Sequence, residues 1–344
     1  MKIAIDAMGG DDAPEVVISG VIDYLKEQRF RSMLKIILVG KEKVIRKELK
    51  KRDFDPEGII DIVDAREEIS MREHFLSYWR RREQTSIKKG VDLVKKGVAQ
   101  AMISAGNTGA VMAISKNVLG NLKGIERPAL ALMLPTPKGN SLLLDAGANV
   151  DSKPKNLVQF ALMGKIFLEN VYDIANPKIA LMSIGEEEVK GNELTKKTFN
   201  MLKSLNINFI GNIEGSDVYS GQSDLIVTDG FTGNVALKVS EGVVENMQSM
   251  LIKEIGNSLL SKAGFFLLKS SIRRVRKKLD YAEYGGALLL GINGLVIVGH
   301  GKSNSRAIKN AIYLGKKFIM ENVLEKITDE AGKVQKVLKE YKYV

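Results

Sequence analysis

The sequence predicts an α/β protein with a three-layer α/β/α arrangement: a mainly parallel sheet with helices on both faces. Three observations point there. Short apolar runs of strand length alternate along the chain with longer stretches of helical apolar spacing. The apolar runs repeatedly end in Gly, Asn and Asp turns that lead straight into the next helical stretch. That alternation continues over 344 residues, the pattern of βαβ units rather than of hairpins. Such a length forms one large α/β unit over residues 1–344 or divides into two lobes.

Taken in order, Lys2 to Ala7 reads as the first strand and Val16 to Tyr24 as the first helix, with Pro14 suited to the turn before it. Strands follow at Ile36–Gly40 and Ile59–Val63, with a charged helix between them. Trp79-Arg80-Arg81-Arg82 leads into a helix over Ile87–Lys96; three arginines can grip a phosphate or form a solvated face. A short apolar run at Met102-Ile103 meets the turn Ser104-Ala105-Gly106-Asn107-Thr108-Gly109, and helical spacing resumes at Ala110. Ala129–Leu134 and Ser141–Asp145 form a hairpin about Lys138-Gly139-Asn140. A helix over Leu157–Asn170 precedes strands at Lys178–Ile184, Ile207–Gly211 and Leu225–Val227. A long helix then runs from Val235 to about Ile255. Tyr284–Gly294 is glycine-rich and apolar, Leu295–Val298 is the last strand, and a helix over Arg306–Glu321 precedes a charged tail.

Composition removes several function classes. Cysteine is absent, which excludes a cysteine nucleophile, a thiolate metal site and a disulfide framework, and fits a reducing cytoplasm. No 18-residue apolar run occurs, and the chain opens directly on a strand, so neither a membrane-spanning helix nor a signal peptide is expected. The formal net charge of +11 would attract nucleic acid, an anionic membrane or an acidic protein. Few aromatics, no zinc spacing and no RNA-binding signature disfavour nucleic acid.

The chemistry is expected at the strand-end turns. Gly106-x-Thr108-Gly109 and Gly230-x-Thr232-Gly233 share one spacing, and each follows an apolar run and opens a helix. Such a turn aims backbone N–H groups and the helix dipole at an anion, so two of them suggest a shared anion site. Each can equally be an ordinary capped βα turn. Asp6 and Asp11 lie at the end of the first strand. Lys190 follows three carboxylates, Glu186-Glu187-Glu188, in a loop after another strand; no metal site is expected there. Lys238 lies one helical turn beyond Asn234 and faces the same way. His300, in Gly299-His300-Gly301, is a candidate base, acid or donor, whereas His74 lies in a charged stretch and is incidental. Gly299-His300-Gly301-Lys302-Ser303 is not a P-loop, because Val296 stands where a glycine is needed, and no dinucleotide fingerprint follows any strand.

Lys253 to Lys278 carries eight Lys/Arg against one acid, with Gly264-Phe265-Phe266-Leu267-Leu268 in its middle. A helical protrusion over residues 245–285 with this basic, apolar-tipped segment would dock on anionic lipid or an acidic partner. Two core-packed helices are the alternative.

Six motifs together resemble the phosphate acyltransferase family of bacterial phospholipid synthesis. They are Ile5-Asp6-Ala7-Met8-Gly9-Gly10-Asp11, Ser104 to Ala110, Leu144 to Asp151, Gly185 to Glu188 with Lys190 to Glu193, Asp229 to Asn234, and Gly299-His300-Gly301. The resemblance runs nearly end to end. It implies transfer of a fatty acyl group from acyl carrier protein to inorganic phosphate, with the acyl phosphate passed to a membrane glycerol-3-phosphate acyltransferase. It also implies a homodimer, no cofactor, and a fold like that of phosphotransacetylase and the isocitrate and isopropylmalate dehydrogenases. The family often has His at the place of Asp12, Lys-Asp-Ser-Ser near Glu83-Gln84-Thr85-Ser86, and a small polar residue at the place of Lys302. With phosphate as nucleophile, Gly106, Asn107, Thr108 and Gly109 are expected to bind it, and Lys190 and Lys238 to neutralise it. Asn234 and His300 would serve the oxyanion or the leaving thiolate, with Asp229 orienting Lys238 or His300. Phe265, Phe266, Leu267, Leu268, Arg273 and Arg274 would meet the membrane or the carrier protein.

Overall fold

A computed structural model describes residues 1–28, 34–71, 83–256, 258–279 and 281–340. The arginine run Arg80-Arg81-Arg82 with Trp79, and His74, lie outside the described residues. The first half of the chain forms β1 (Lys2–Asp6), α1 (Glu15–Glu27), β2 (Lys35–Gly40), α2 (Glu42–Lys51), β3 (Ile60–Asp64), α3 (Ser86–Lys95), β4 (Ala101–Ser104), α4 (Thr108–Leu119), β5 (Ala129–Thr136), β6 (Gly139–Leu144) and α5 (Pro154–Val171). The second half forms β7 (Ile179–Met182), α6 (Glu193–Lys203), β8 (Phe209–Ile213), β9 (Leu225–Val227), α7 (Gly230–Gly256), α8 (Leu259–Leu279), β10 (Ala287–Leu290), β11 (Leu295–Val298), α9 (Ser305–Met320) and α10 (Val323–Glu340).

The strands form one sheet in the order β3-β2-β1-β4-β11-β10-β5-β6-β9-β7-β8. Pairing is parallel within β3-β2-β1-β4-β11 and again within β6-β9-β7-β8. Three antiparallel contacts, β11–β10, β10–β5 and β5–β6, join the two blocks. An odd number of reversals makes the blocks run in opposite senses. Five steps separate β4 from β9, and a twist of some 20–25° per step accumulates to roughly 100°. The carboxyl ends of β4 and β9 therefore do not point to opposite poles.

Strand side chains alternate between two cores, as a pleat requires. Ile3, Ile5, Leu142, Leu144 and Ile297 pack with α1, α2, α5, α6, α9 and α10. Ala4, Leu143, Val296 and Val298 pack with α3, α4 and α7 on the other face. The three layers are those the alternation predicted. The two turns that open α4 and α7 thus share one face.

The expected hairpin is the antiparallel pair β5–β6; the elements not anticipated are α6, α10 and β10, with the two further antiparallel contacts that β10 makes. The strand at 207–211 is shifted, to Phe209–Ile213. The long helix starts at Gly230, inside the glycine turn, rather than at Val235. α7 ends at Gly256 and α8 begins at Leu259, so Phe265–Leu268 lie in the second and third turns of α8 rather than on a loop tip. Among the described residues, no helix is long and apolar enough to cross a membrane.

α1 and α9 approach closely where Gly20 lies. A Cβ there would sit 2.5 Å from the Ser305 carbonyl oxygen and 2.7 Å from Ile308 Cβ. Gly20→Val should therefore destabilise the protein by about 1–3 kcal/mol through overpacking, read as a lowered urea midpoint at unchanged slope.

Candidate functional site

Two buried carboxylates frame the turns. Asp6 ends β1. Its Oδ1 accepts from Met8 N at 3.0 Å, and its Oδ2 accepts from Ser104 Oγ at 2.7 Å. Ser104 Oγ in turn accepts from Gly106 N at 3.0 Å, so the chain of bonds fixes the start of the first glycine turn. Burial pushes the Asp6 pKa up, and its Ser86, Ser104, Met8 and Gly9 donors pull the other way. The loop after β11 docks against the same turn: Gly299 N donates to Ser104 O at 2.8 Å and Asp11 N to Gly301 O at 2.8 Å.

Asn107 caps α4, with its Oδ1 accepting from Ala110 N at 3.0 Å, while its Nδ2 donates to Met71 O at 3.2 Å. Its side chain thus caps the helix and braces the segment at Met71. Gly106 is likewise buried with its N–H taken by Ser104. Thr108 and Gly109, exposed in the first turn of α4, are the part of this turn open to an anion.

The second frame is Asp145, fully buried at the end of β6. Its Oδ1 accepts from the N–H groups of Leu130, Gly147 and Ala148 at 2.8–3.0 Å. Its Oδ2 accepts from Asn149 N and Asn149 Nδ2, both at 2.8 Å. Burial pushes its pKa up and these donors oppose the shift. α7 begins against this knot: Gly230 N donates to Asn149 O at 2.9 Å, and a Cβ on Gly233 would lie 2.0 Å from Asp145 O. Asn234 then rests over Gly147. Asp229 caps α7, accepting from Thr232 N at 3.0 Å and Thr232 Oγ1 at 2.7 Å. Its two oxygens thus both serve the helix start, while Lys238 ion-pairs with Glu241.

α7 carries the second turn toward the first. His300 lies in the field of Glu241, Lys238, Lys302 and Asp11, and Lys302 Nζ reaches Glu245 Oε1 at 3.9 Å. Lys238 donates to Glu241 Oε2 at 2.7 Å on the open surface instead of turning back to Asn234. The His300 Nδ1 accepts from Lys302 N at 3.2 Å, so the neutral ring carries its proton on Nε2. Partial burial, aided by the two lysines and opposed by Glu241 and Asp11, lowers the His300 pKa below the usual 6.5.

Lys190 stands on the loop after β7, exposed, and no hydrogen bond or ion pair joins it to the other candidate residues among those described. Its turn is closed by Lys190 N donating to Glu187 O at 3.0 Å, and Asn212 Nδ2 donates to the same oxygen at 3.1 Å. The neighbouring Glu188 pairs with Lys203, and no cluster of three metal-ligating side chains occurs among the described residues. On the hairpin, Phe266, Leu267 and Leu268 are exposed and Phe265 is half-buried; Arg273 is exposed, and Arg274 donates to Ser271 Oγ at 2.8 Å.

Asp145 and Asn212, which brace the loops carrying the candidate residues, were not singled out by the sequence. The Leu144–Asp151 stretch marked a turn, but the donors from Leu130 and the reach of Asn212 from β8 are tertiary. Asp145→Asn would set an NH2 against N–H donors inside the fold. It should destabilise the protein by about 3 kcal/mol, measured by urea unfolding.

The family model for a fatty acid synthesis protein matches residues 1–326. A phosphate acyltransferase of Thermodesulfovibrio yellowstonii is 48% identical over 335 residues, covering 97% of this chain and 95% of that protein. One from Clostridium botulinum is 48% identical over 335 residues, covering 97% and 99%. Among solved structures, a phosphotransacetylase from Streptococcus pyogenes superposes with a TM-score of 0.61 at 18% identity, covering 94% of each chain. A branched-chain phosphotransacylase from Enterococcus faecalis gives 0.54 at 15% identity, covering 92% and 98%; these two share the fold. With residues 1–326 of its 344 matched by the family model and relatives close to half identical end to end, the chain belongs to the phosphate acyltransferase family and is an acyltransferase.

Proposed function

We propose that the protein moves a long-chain fatty acyl group from acyl carrier protein to inorganic phosphate. The observation that carries this reading is the approach of α7, which starts at the second glycine turn, to His300 beside the first. A phosphate held by the free N–H groups of Thr108 and Gly109, with Lys238 and Lys190 supplying positive charge, meets a thioester carbonyl near Asn234 and His300. A phosphate oxygen attacks the carbonyl carbon, the C–O bond forms, and the C–S bond breaks as the tetrahedral intermediate collapses. In this reading the neutral His300 Nε2–H and the Asn234 amide donate to the oxyanion, and the departing thiolate takes the proton that the attacking hydrogen phosphate gives up. No protein nucleophile is required, in keeping with a chain that has no cysteine.

The carrier protein is acidic in this reading and docks on Lys253, Lys262, Lys269, Arg273 and Arg274 of the hairpin, while Phe266–Leu268 meet an anionic membrane surface from the cytoplasmic side. A second copy completes a homodimer, and the acyl phosphate passes to a membrane glycerol-3-phosphate acyltransferase. Coenzyme A as the thioester carrier is the second reading, favoured by the phosphotransacetylase fold.

The test is phosphate-dependent release of thiol from palmitoyl–acyl carrier protein, run beside palmitoyl-coenzyme A. Release from the protein carrier alone, abolished without phosphate, is expected; release from coenzyme A alone would select the second reading, and release from neither would leave a non-catalytic scaffold. Lys238→Ala and His300→Ala should each lower kcat/KM by about 100-fold or more, and near-normal turnover in both would defeat the site assignment. Because the lowered His300 pKa keeps the ring neutral at pH 7, the rate should hold on acidification to the ordinary histidine value of about 6.5 and fall only below it. His300→Asn should remove that step.

A further inference from the structure

We infer that Asp11 selects hydrogen phosphate over sulfate, its carboxylate accepting a hydrogen bond from the proton that phosphate carries near neutrality and sulfate lacks; the inference rests on the phosphate site proposed above. Asp11 lies in the loop after β1, and two neighbours fix its place. Gly10 packs on the first glycine turn, where a Cβ on it would sit 3.5 Å from Ala105 Cβ. Asp11 N donates to Gly301 O at 2.8 Å, which pins the residue to the His300 loop. Both carboxylate oxygens then stand in front of Gly301, each 3.6 Å from the point a Cβ would take. The Met71 methyl reaches the same point at 2.6 Å, and Met71 O accepts from Asn107, the cap of α4. These contacts close a ring from Ala105 through Gly10, Asp11, Gly301 and Met71 to Asn107. The open N–H groups of Thr108 and Gly109 come next along the chain. Asp11 is also near enough to His300 to act on its charge.

A carboxylate is out of place beside a bound anion unless it meets a donor there. Asp6, Asp145 and Asp229 spend their oxygens on the fold. Asp11 is exposed, and among the described residues no hydrogen bond or ion pair engages its carboxylate. Facing an anion, such a group repels it, and repulsion built against one ligand is a means of choosing another. An ionised carboxylate only accepts hydrogen bonds, and so does a tetrahedral oxyanion with no protonated oxygen. Hydrogen phosphate has a protonated oxygen. Sulfate, with the same shape and the same charge as the phosphate dianion, has none. The other groups of the proposed site cannot tell the two apart. The Thr108 and Gly109 N–H groups, His300 Nε2–H and the two lysines are all donors and would hold either anion. Asp11 supplies the acceptor that discriminates, and by taking the protonated oxygen it leaves proton-free oxygens for the N–H groups and the thioester.

The test is calorimetric titration of the full chain with inorganic phosphate and with sulfate, near neutral pH and in EDTA, for the parent, Asp11→Asn and Asp12→Asn. Both positions are exposed, so folding is retained. The two variants remove the same charge one residue apart, which separates a local contact from the general field. The parent is expected to bind phosphate about tenfold or more tighter than sulfate, the effect of one hydrogen bond to a charged group. Asp11→Asn should bring the two affinities together, mainly by tightening sulfate, and Asp12→Asn should keep the parent ratio. A ratio unchanged by Asp11→Asn would overturn the inference, as would an equal change in Asp12→Asn. Phosphate that binds only when magnesium replaces EDTA would make Asp11 a cation ligand and overturn it too. If the parent binds neither anion, the inference falls with its site. Binding is read without turnover, so the two failures separate. A phosphate preference that depends on Asp11, in a protein that releases no thiol from palmitoyl–acyl carrier protein, supports the inference and sinks the functional reading. Phosphate-dependent thiol release by a parent that binds sulfate as tightly as phosphate sinks the inference alone.

Discussion

The site depends on how the first turn of α7 sits on the buried Asp145 knot. A lone buried carboxylate costs several kcal/mol in lost hydration; this one is satisfied by five N–H donors, four from its own turn and one from Leu130 of β5. The bond to Leu130 ties the end of β6 to its antiparallel neighbour, so the carboxylate is also a strut between the strands at the change of sense. Only a glycine at position 233 lets the helix come down on Asp145 O. Once that contact is set, the direction of α7 is set, and with it the approach of Lys238, Glu241 and Glu245 to the His300 loop.

The opposed blocks explain why one helix must do this work. In an open parallel sheet, ligands gather outside the carboxyl ends of neighbouring strands. Here the two sets of carboxyl ends belong to blocks of opposite sense, separated by β10 and β5. Asp6 organises the first set and Asp145 the second, and each holds its glycine turn through backbone N–H groups. The two lysines proposed to neutralise phosphate, Lys190 and Lys238, are lightly tethered by comparison and stand at the surface.

Local patterns made most of the fold legible. The turn at Gly106–Gly109, the strand at Leu225–Val227 and the helix that follows it were all readable from apolar runs and punctuation. β10 was not, because Ala287–Leu290 is buried on both faces and shows no alternation, while Gly285, Gly286 and Gly291 around it read as loop. α6 and α10 escaped because their many charges masked a narrow apolar stripe, Phe199 and Leu202 in one, Val323, Ile327 and Ala331 in the other. Residue type alone leaves the tasks of the candidate residues open. Asp229 and Asn107 carry the right chemistry for a ligand and are used as caps, a choice local sequence leaves open since capping and anion binding use the same groups. The Asp145 knot and the Asn212 brace under Lys190 depend on strands far apart in sequence, which no window of residues reveals.

In the proposed reaction both glycine turns serve one anion site beside His300. Titrating the His300 imidazole by NMR, with and without inorganic phosphate, tests it most directly. A dianion held next to the ring should favour the imidazolium and move the His300 pKa upward from its lowered value, and Lys238→Ala, by weakening phosphate binding, should demand more phosphate for the same shift. If phosphate binds, as shown by calorimetry, and the His300 titration stays where it was, the two turns do not share a site and the account is contradicted.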